Sequence, residues 1–368
     1  MEVERLRIAV VPGDGIGPEV CAAAIEVLKA AVDGVADLDL ATYPAGAETY
    51  RSTGDAYPPE TLRGCRDADA VLHGAAGLPD VTFPDGTEAG QDFSQKTRAT
   101  LDLYANIRPV RTWPTVSPAV TSALSRPVDY IIVRENTEGL YASRGGGTLL
   151  RDQVATDTIV MTREGIERVV RKAADLARRR GGAPRDGKRR VTVVDKANVL
   201  RGYAFFRKVA LEVLEDYPDV ETECILVDAM TTFMVREPER FDVVVTENIF
   251  GDILSDLGAA TVGGLGLAPS AEIGDSHGCF QSVHGSAPDI AGKGIANPIA
   301  TILSAAMMLD WFGERRRNAE LSKAGERIRT AVEEVLSAGE CLTPDLGGTS
   351  STVECGEAIQ RRLAPVAA

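Results

Sequence analysis

Gly13-Asp14-Gly15-Ile16-Gly17-Pro18-Glu19 stands between an apolar, strand-like run at residues 8–11 and a helical pattern at 19–32. In a Rossmann unit, a glycine-rich turn at that place is a dinucleotide fingerprint. The fingerprint needs a third glycine three residues after the second, so that the helix packs closely on the strand and aims its N-terminus at a pyrophosphate. Pro18 occupies that position. The spacing is therefore wrong for a standard Rossmann site; the stretch reads as a tight turn or a phosphate cradle, and a cofactor site has to be sought elsewhere.

Outward from this turn, short β-rich runs at 70–72, 130–133, 191–194, 224–227 and 241–245 alternate with helical patterns. The clearest helix covers 164–180 behind an N-cap at Thr162, with Ile166, Val169, Val170, Ala173, Leu176 and Ala177 on one face. Such alternation implies an α/β fold with a largely parallel sheet. Pro109, Pro114, Pro118 and Pro127 punctuate the chain once, and Gly263, Gly264 and Gly266 punctuate it again. These read as two crossings between domains. The glycine-rich residues 143–147 let the segment after them project as an arm.

The 368 residues are 44% hydrophobic and 26% charged, a balance suited to about two globular domains. With 54 acidic against 40 basic side chains the formal charge is −14, which argues against a nucleic-acid partner. An acidic protein that binds an acidic small molecule must gather its arginines locally. The six cysteines show no metal-binding spacing and read as reduced, cytoplasmic thiols. The charged residues 1–7 do not resemble a secretory leader, and no stretch approaches the ~18 apolar residues of a membrane span.

Within Asn248-Ile249-Phe250-Gly251-Asp252-Ile253-Leu254-Ser255-Asp256, Asp252 is expected to open a helix, with Asp256 at i+4 on the same face. Paired hard oxygen donors suit Mg2+ or Mn2+, with Asp228, after another apolar run, as a third ligand; helix capping and solvation are the plain alternatives. Lys196 also follows a strand. Beside a bound dication its charged form would be disfavoured, making it a general base, whereas an isolated lysine is usually a solvated charge. Arg98, Arg108 and Arg134 could together hold a polyanion. Tyr141 could supply a phenolic proton.

Taken together, GDGIGPE at 13–19, LYANIRP at 103–109, RENTEGLY at 134–141, KANVL at 196–200, NIFGDILSD at 248–256 and HGSAPDIAGKGIANP at 284–298 resemble the β-decarboxylating dehydrogenases. That family includes isocitrate, homoisocitrate, 3-isopropylmalate and tartrate dehydrogenases, and the resemblance spans nearly the whole chain. It implies a non-Rossmann, isocitrate/isopropylmalate dehydrogenase-like fold in two domains. Residues 1–109 and 265–368 would bind cofactor; residues 110–264 would bind substrate and metal, with a dimer arm near 143–160. It implies a homodimer whose active sites take Lys196 and Asp228 from the neighbouring chain, and NAD held by His284, Gly285, Ser286, Ala287, Asp289, Ile290 and Asn297. A carboxylate at Asp289 can bond both ribose hydroxyls but would repel the 2′-phosphate of NADP.

By the same resemblance Lys196 takes the substrate hydroxyl proton, Arg98, Arg108 and Arg134 hold the β-carboxylate that leaves as CO2, and Tyr141 protonates C3. The substrate segment departs from its relatives. On a helix, Gln91, Ser94 and Gln95 share the face of Arg98 and form a polar pocket poorly suited to an isopropyl group. Asp92 would repel a further carboxylate unless Lys96 offsets it. The expectation is a 3-substituted malate with a polar or anionic C3 group, isocitrate-like, homoisocitrate-like or a phosphonate analogue. The alternatives are 3-isopropylmalate, tartrate or D-malate. A non-catalytic regulatory subunit is the reading from another class, and a metal-dependent hydrolase would leave Asp289 and the His284 block unexplained.

Overall fold

A computed structural model describes residues 4–116 and 127–363; Pro118 lies outside them. Twelve strands and eleven helices alternate along the described residues. The strands are β1 Glu4–Gly13, β2 Ala36–Thr42, β3 Ala70–Ala75, β4 Ala105–Arg111, β5 Asp129–Glu135, β6 Thr148–Leu150, β7 Val154–Thr156, β8 Arg190–Asp195, β9 Glu221–Leu226, β10 Val243–Thr246, β11 Pro269–Ile273 and β12 Gly278–Ser282. Ten of them form one sheet in the order β2-β1-β3-β12-β11-β4-β5-β10-β8-β9. Pairing is parallel among β2, β1, β3 and β12, and again among β5, β10, β8 and β9. Between these two blocks, β11 and β4 pair antiparallel with their neighbours.

The alternation of side chains along the strands assigns the faces. In the second block, Ile131, Val133, Val191, Val193, Val243 and Val245 pack with α5 Arg163–Arg179 and α6 Arg201–Leu214. Tyr130, Ile132, Val194 and Val244 face the other way, towards α7 Val227–Arg236 and α8 Asn248–Val262. In the first block α1 Gly17–Val32, α9 Ile299–Arg316, α10 Ala319–Ala338 and α11 Thr352–Arg362 pack together. Ala9, Val11, Val71 and Cys279 lie with Phe93 of α4 Gln91–Thr100 and Cys65 of α3 Pro59–Asp67. Helices α4 and α8 thus flank a gap over the antiparallel centre of the sheet.

Thr162 caps α5 as expected, accepting from the Gly165 amide at 3.0 Å. Other boundaries differ. The run expected as a strand to 227 ends at Leu226, and Val227 opens α7, which puts Asp228 in a first helical turn. Phe241 precedes β10 and packs edge-on against Tyr130. Asp252 does not open α8: Glu247 caps it, accepting from Ile249 and Phe250 amides, and Asp252 lies in the second turn. Pro109 is inside β4, beyond Ile107 where pairing with β11 ends, so its missing N–H breaks no ladder on that side.

The opening turn is a docking loop. Gly15 has φ +57°, and a Cβ there would meet the Ser286 carbonyl oxygen at 2.0 Å. The Ile16 amide donates to that same oxygen at 2.8 Å. Buried Asp14 accepts from the amides of Ala47, Glu48 and Gly77 at 2.7, 2.9 and 2.7 Å. Strands β6 and β7 form a separate hairpin whose Leu149, Leu150 and Val154 are exposed. No helix among the described residues is long and apolar enough to cross a membrane, and the six cysteines are unbridged.

Candidate active site

The period of two that builds the sheet also builds the site. Asn106 stands opposite Arg134 across β4–β5 and opposite Glu272 across β4–β11, and Arg108 follows on the same face two residues on. Helix α4 brings Arg98 to this row, with Gln91, Ser94 and Gln95 along the same helical face. Helix α8 brings Asp252. Gly251 makes the approach possible, since a Cβ there would fall 2.5 Å from the Arg134 side chain. The result is a cavity of about 630 Å³, lined by Ser94, Gln95, Arg98, Arg108, Arg134, Tyr141, Asp252, His284 and Gly285 among others.

All three arginines are buried. Arg134 donates from Nε and Nη2 to the Asn248 side-chain oxygen at 3.0 and 2.7 Å and contacts Asp252 through Nη1. Arg108 donates to Ser255 Oγ at 2.5 Å and to Asp252 Oδ1 at 3.3 Å. The Tyr141 hydroxyl donates to Asp252 Oδ2 at 2.7 Å. Burial alone would raise the Asp252 carboxyl, but Arg134 and Arg108 outweigh it and hold it down to about 2. Burial, then Asp252, pushes Tyr141 up to about 12, so its phenol keeps its proton. Burial pushes Arg134 down to about 9, still charged at neutral pH.

Asp256 lies one turn beyond Asp252, its carboxylate 3.9 Å from Arg108 Nη1, and burial raises its carboxyl. Lys196 and Asp228 are not in the cavity. They pair with each other, and the pair lowers the Asp228 carboxyl. Among the described residues no group of three or more His, Cys, Asp or Glu side chains is placed to hold a metal ion. Within one chain Asp228 is therefore not gathered with Asp252 and Asp256; it pairs with Lys196 instead. Two carboxylates a turn apart still offer the hard oxygen donors that Mg2+ or Mn2+ prefers.

The block at 284–298 joins β12 to α9. Ser286 sits against the 13–19 turn, Ala287 takes φ +38°, and Asp289 is exposed. A second cavity of about 380 Å³ opens between Ile16, His284, Ile290, Ala296, Asn297 and Asp345. Its walls are mostly aliphatic, and His284 Nε2 is shielded without a hydrogen-bond partner among the described residues. Aliphatic walls with a few polar groups at their edge could hold a heteroaromatic base. Asn297 donates to Asp345 at 3.0 Å at its end.

Asp92 is not among the residues lining the larger cavity and is paired with Lys96 at 2.5 Å and with Arg144 at 3.7 Å, so Lys96 does offset it. Sequence reading missed Glu272, 1% exposed under the arginines, along with Asn106, Asn248 and Gln281. A signal existed for the first. Glu272 is a lone charge in the apolar run 265–273, and a charge inside a buried strand needs a partner.

Residues 7–361 match the family described as isocitrate/isopropylmalate dehydrogenase. The 3-isopropylmalate/3-methylmalate dehydrogenase of Methanocaldococcus jannaschii is 47% identical over 97% of this chain and 98% of its own. The 3-isopropylmalate dehydrogenase of Aquifex aeolicus is 42% identical over 94% and 92%. The crystal structure of isocitrate dehydrogenase from Methylococcus capsulatus superposes with a TM-score of 0.85 at 40% identity, covering 97% of this chain and 99% of that one. The chain belongs to the isocitrate/isopropylmalate dehydrogenase family, oxidoreductases of the β-decarboxylating class.

Proposed function

We propose that this protein is an NAD-dependent dehydrogenase that uses Mg2+ or Mn2+ to oxidise a 3-substituted malate at C2 and release its β-carboxylate as CO2. The observation that carries this reading is the meeting of Arg98, Arg108, Arg134, Tyr141 and Asp252 in one cavity walled by His284 and Gly285. When bound, NAD would accept the C2 hydride, and a divalent cation at Asp252 and Asp256 would hold the 2-hydroxyl and its neighbouring carboxylate. Asp289, exposed beside the aliphatic slot, supports NAD over NADP.

The three guanidiniums would orient the β-carboxylate, which leaves as CO2 while its bonding pair passes to C3. Tyr141, protonated and 2.7 Å from Asp252, would deliver the proton to C3. Lys196 would take the hydroxyl proton. Since Lys196 and Asp228 pair outside the cavity, we place them in the cavity of a second copy, within a homodimer joined through the apolar β6–β7 hairpin. The same reading divides the chain at the antiparallel strands, with residues 1–109 and 265–368 binding cofactor and 110–264 binding substrate and metal.

The relatives give a 3-alkylmalate, such as 3-isopropylmalate, the better support as substrate. Gln91, Ser94 and Gln95 on the cavity wall favour a second reading, a malate with a polar C3 group. NADH formation with Mg2+ or Mn2+ over a panel of 3-methyl-, 3-isopropyl- and 3-hydroxymalate, isocitrate and homoisocitrate tests both. Turnover of at least one member is expected; absence of NADH with every member overturns the proposed function.

A further inference from the structure

Glu272 lies beneath the arginine cluster and takes part in no step proposed above. Its Oε1 accepts from Arg98 Nε at 2.9 Å and Nη2 at 2.6 Å, from Gln281 Nε2 at 2.8 Å and from Asn106 Nδ2 at 3.2 Å. Two consequences follow from chemistry. The Nε edge of the Arg98 fork is tied down, which leaves Nη1 with no protein acceptor among the described residues. And one of the three guanidinium charges is already matched inside the protein before any substrate arrives.

The charge balance of the cavity is then narrow. At the floor, Arg98, Arg108 and Arg134 face Asp252 and Glu272, with the Asp256 carboxylate 3.9 Å from Arg108. At the rim, Arg144 faces Asp92 at 3.7 Å, with Glu88 and Asp157 also lining the opening. Along α4, where the C3 substituent would lie, the wall offers Gln91, Ser94 and Gln95, polar but uncharged, and Lys96 is already held by Asp92. A further carboxylate at C3 would find along this wall no cation of this chain, among the described residues, that is not already ion-paired.

Resting on the function proposed above, we propose that Glu272 is a positioning residue that sets the charge of the accepted substrate. It fixes Arg98 and cancels one positive charge, so the site favours a dianionic 3-substituted malate over a tricarboxylate. A polar wall with no net charge agrees with this: it tolerates a hydroxyl or a small alkyl group better than a third carboxylate.

The test compares wild type with the neutral variants Glu272→Gln and Glu272→Ser and with Glu272→Asp, which keeps the charge. Isocitrate and 3-isopropylmalate serve as the tri- and dicarboxylate, read by kcat/KM and by calorimetric Kd with Mg2+ in the absence of NAD. Both neutral variants should raise the isocitrate to isopropylmalate ratio about tenfold, through KM and Kd more than kcat, while Glu272→Asp keeps the wild-type ratio. A purely structural role would weaken both ligands alike. A ratio within about twofold of wild type in both neutral variants overturns the proposal. If wild type turns over no member of the panel, the proposed function falls, and the Kd ratio still decides the role of Glu272.

Discussion

Asp252 carries two requirements at once. It neutralises buried arginines in the free protein, and it is proposed to bind a cation. Its folded-state carboxyl is held at about 2, against an ordinary value of 3.8, by Arg134 and Arg108 acting against burial. A depressed value stabilises the fold fully above the ordinary value, and that part is lost as pH falls through about 2. In metal-free denaturant titrations Asp252→Asn should therefore be less stable than wild type at pH 5, and the gap should close towards pH 2. A gap independent of pH would count against the ion pairs. Asp14 gives a second prediction at this scale. Removing a buried carboxylate that accepts three amides leaves those donors unpaired, so Asp14→Ala should cost about 3 kcal/mol in urea unfolding. Little change would show that water replaces it.

At the scale of elements, the site depends on how closely α8 approaches β5. Gly251 sets that distance, because a methyl group would meet Arg134 at 2.5 Å. Gly251→Ala should push the second turn of α8 away, separating Asp252 from Arg134 and Tyr141. We expect kcat to fall by about a hundredfold or more, since a misplacement near 1 Å is costly, with secondary structure by circular dichroism unchanged. Wild-type kcat would mean that the helix yields without harm to the site. The helical half of this arrangement is legible in the sequence: the i, i+4 spacing of Asp252 and Asp256 and the face shared by Gln91, Ser94, Gln95 and Arg98 follow from the helical period alone. The capping of α8 is not, because Glu247 and Asp252 are both acidic and only the backbone path selects which one closes the helix.

For the whole molecule, the question is where Lys196 and Asp228 act. They pair outside the cavity that Tyr141 of the same chain lines. If sites are shared, Lys196→Met and Tyr141→Phe should each be nearly inactive alone but complement when refolded together. In a random mixture half the dimers are mixed, and each has one intact site, so about a quarter of wild-type activity should return. No recovery in verified mixed dimers would sink the shared site. The surface that would join the copies includes Leu149 and Leu150, 65% and 56% exposed on the β6–β7 hairpin.

Local periodicity, though not every element boundary, was settled by the sequence. The turn at 13–19 lacked the Rossmann spacing, the strand and helix periods showed an α/β chain, and the motif blocks carried the family and most of the cavity's side chains. These are properties of residues adjacent along the chain, where hydrophobic period and turn chemistry act directly. Only the tertiary structure decided what meets across the sheet. Arg98 and Glu272 are 174 positions apart, and their pairing depends on the β11–β4 register. Likewise, the turn at 13–19 turned out to seat the Ser286 loop. A register is chosen by the packing of both faces of a sheet at once, and no single stretch of sequence contains that choice.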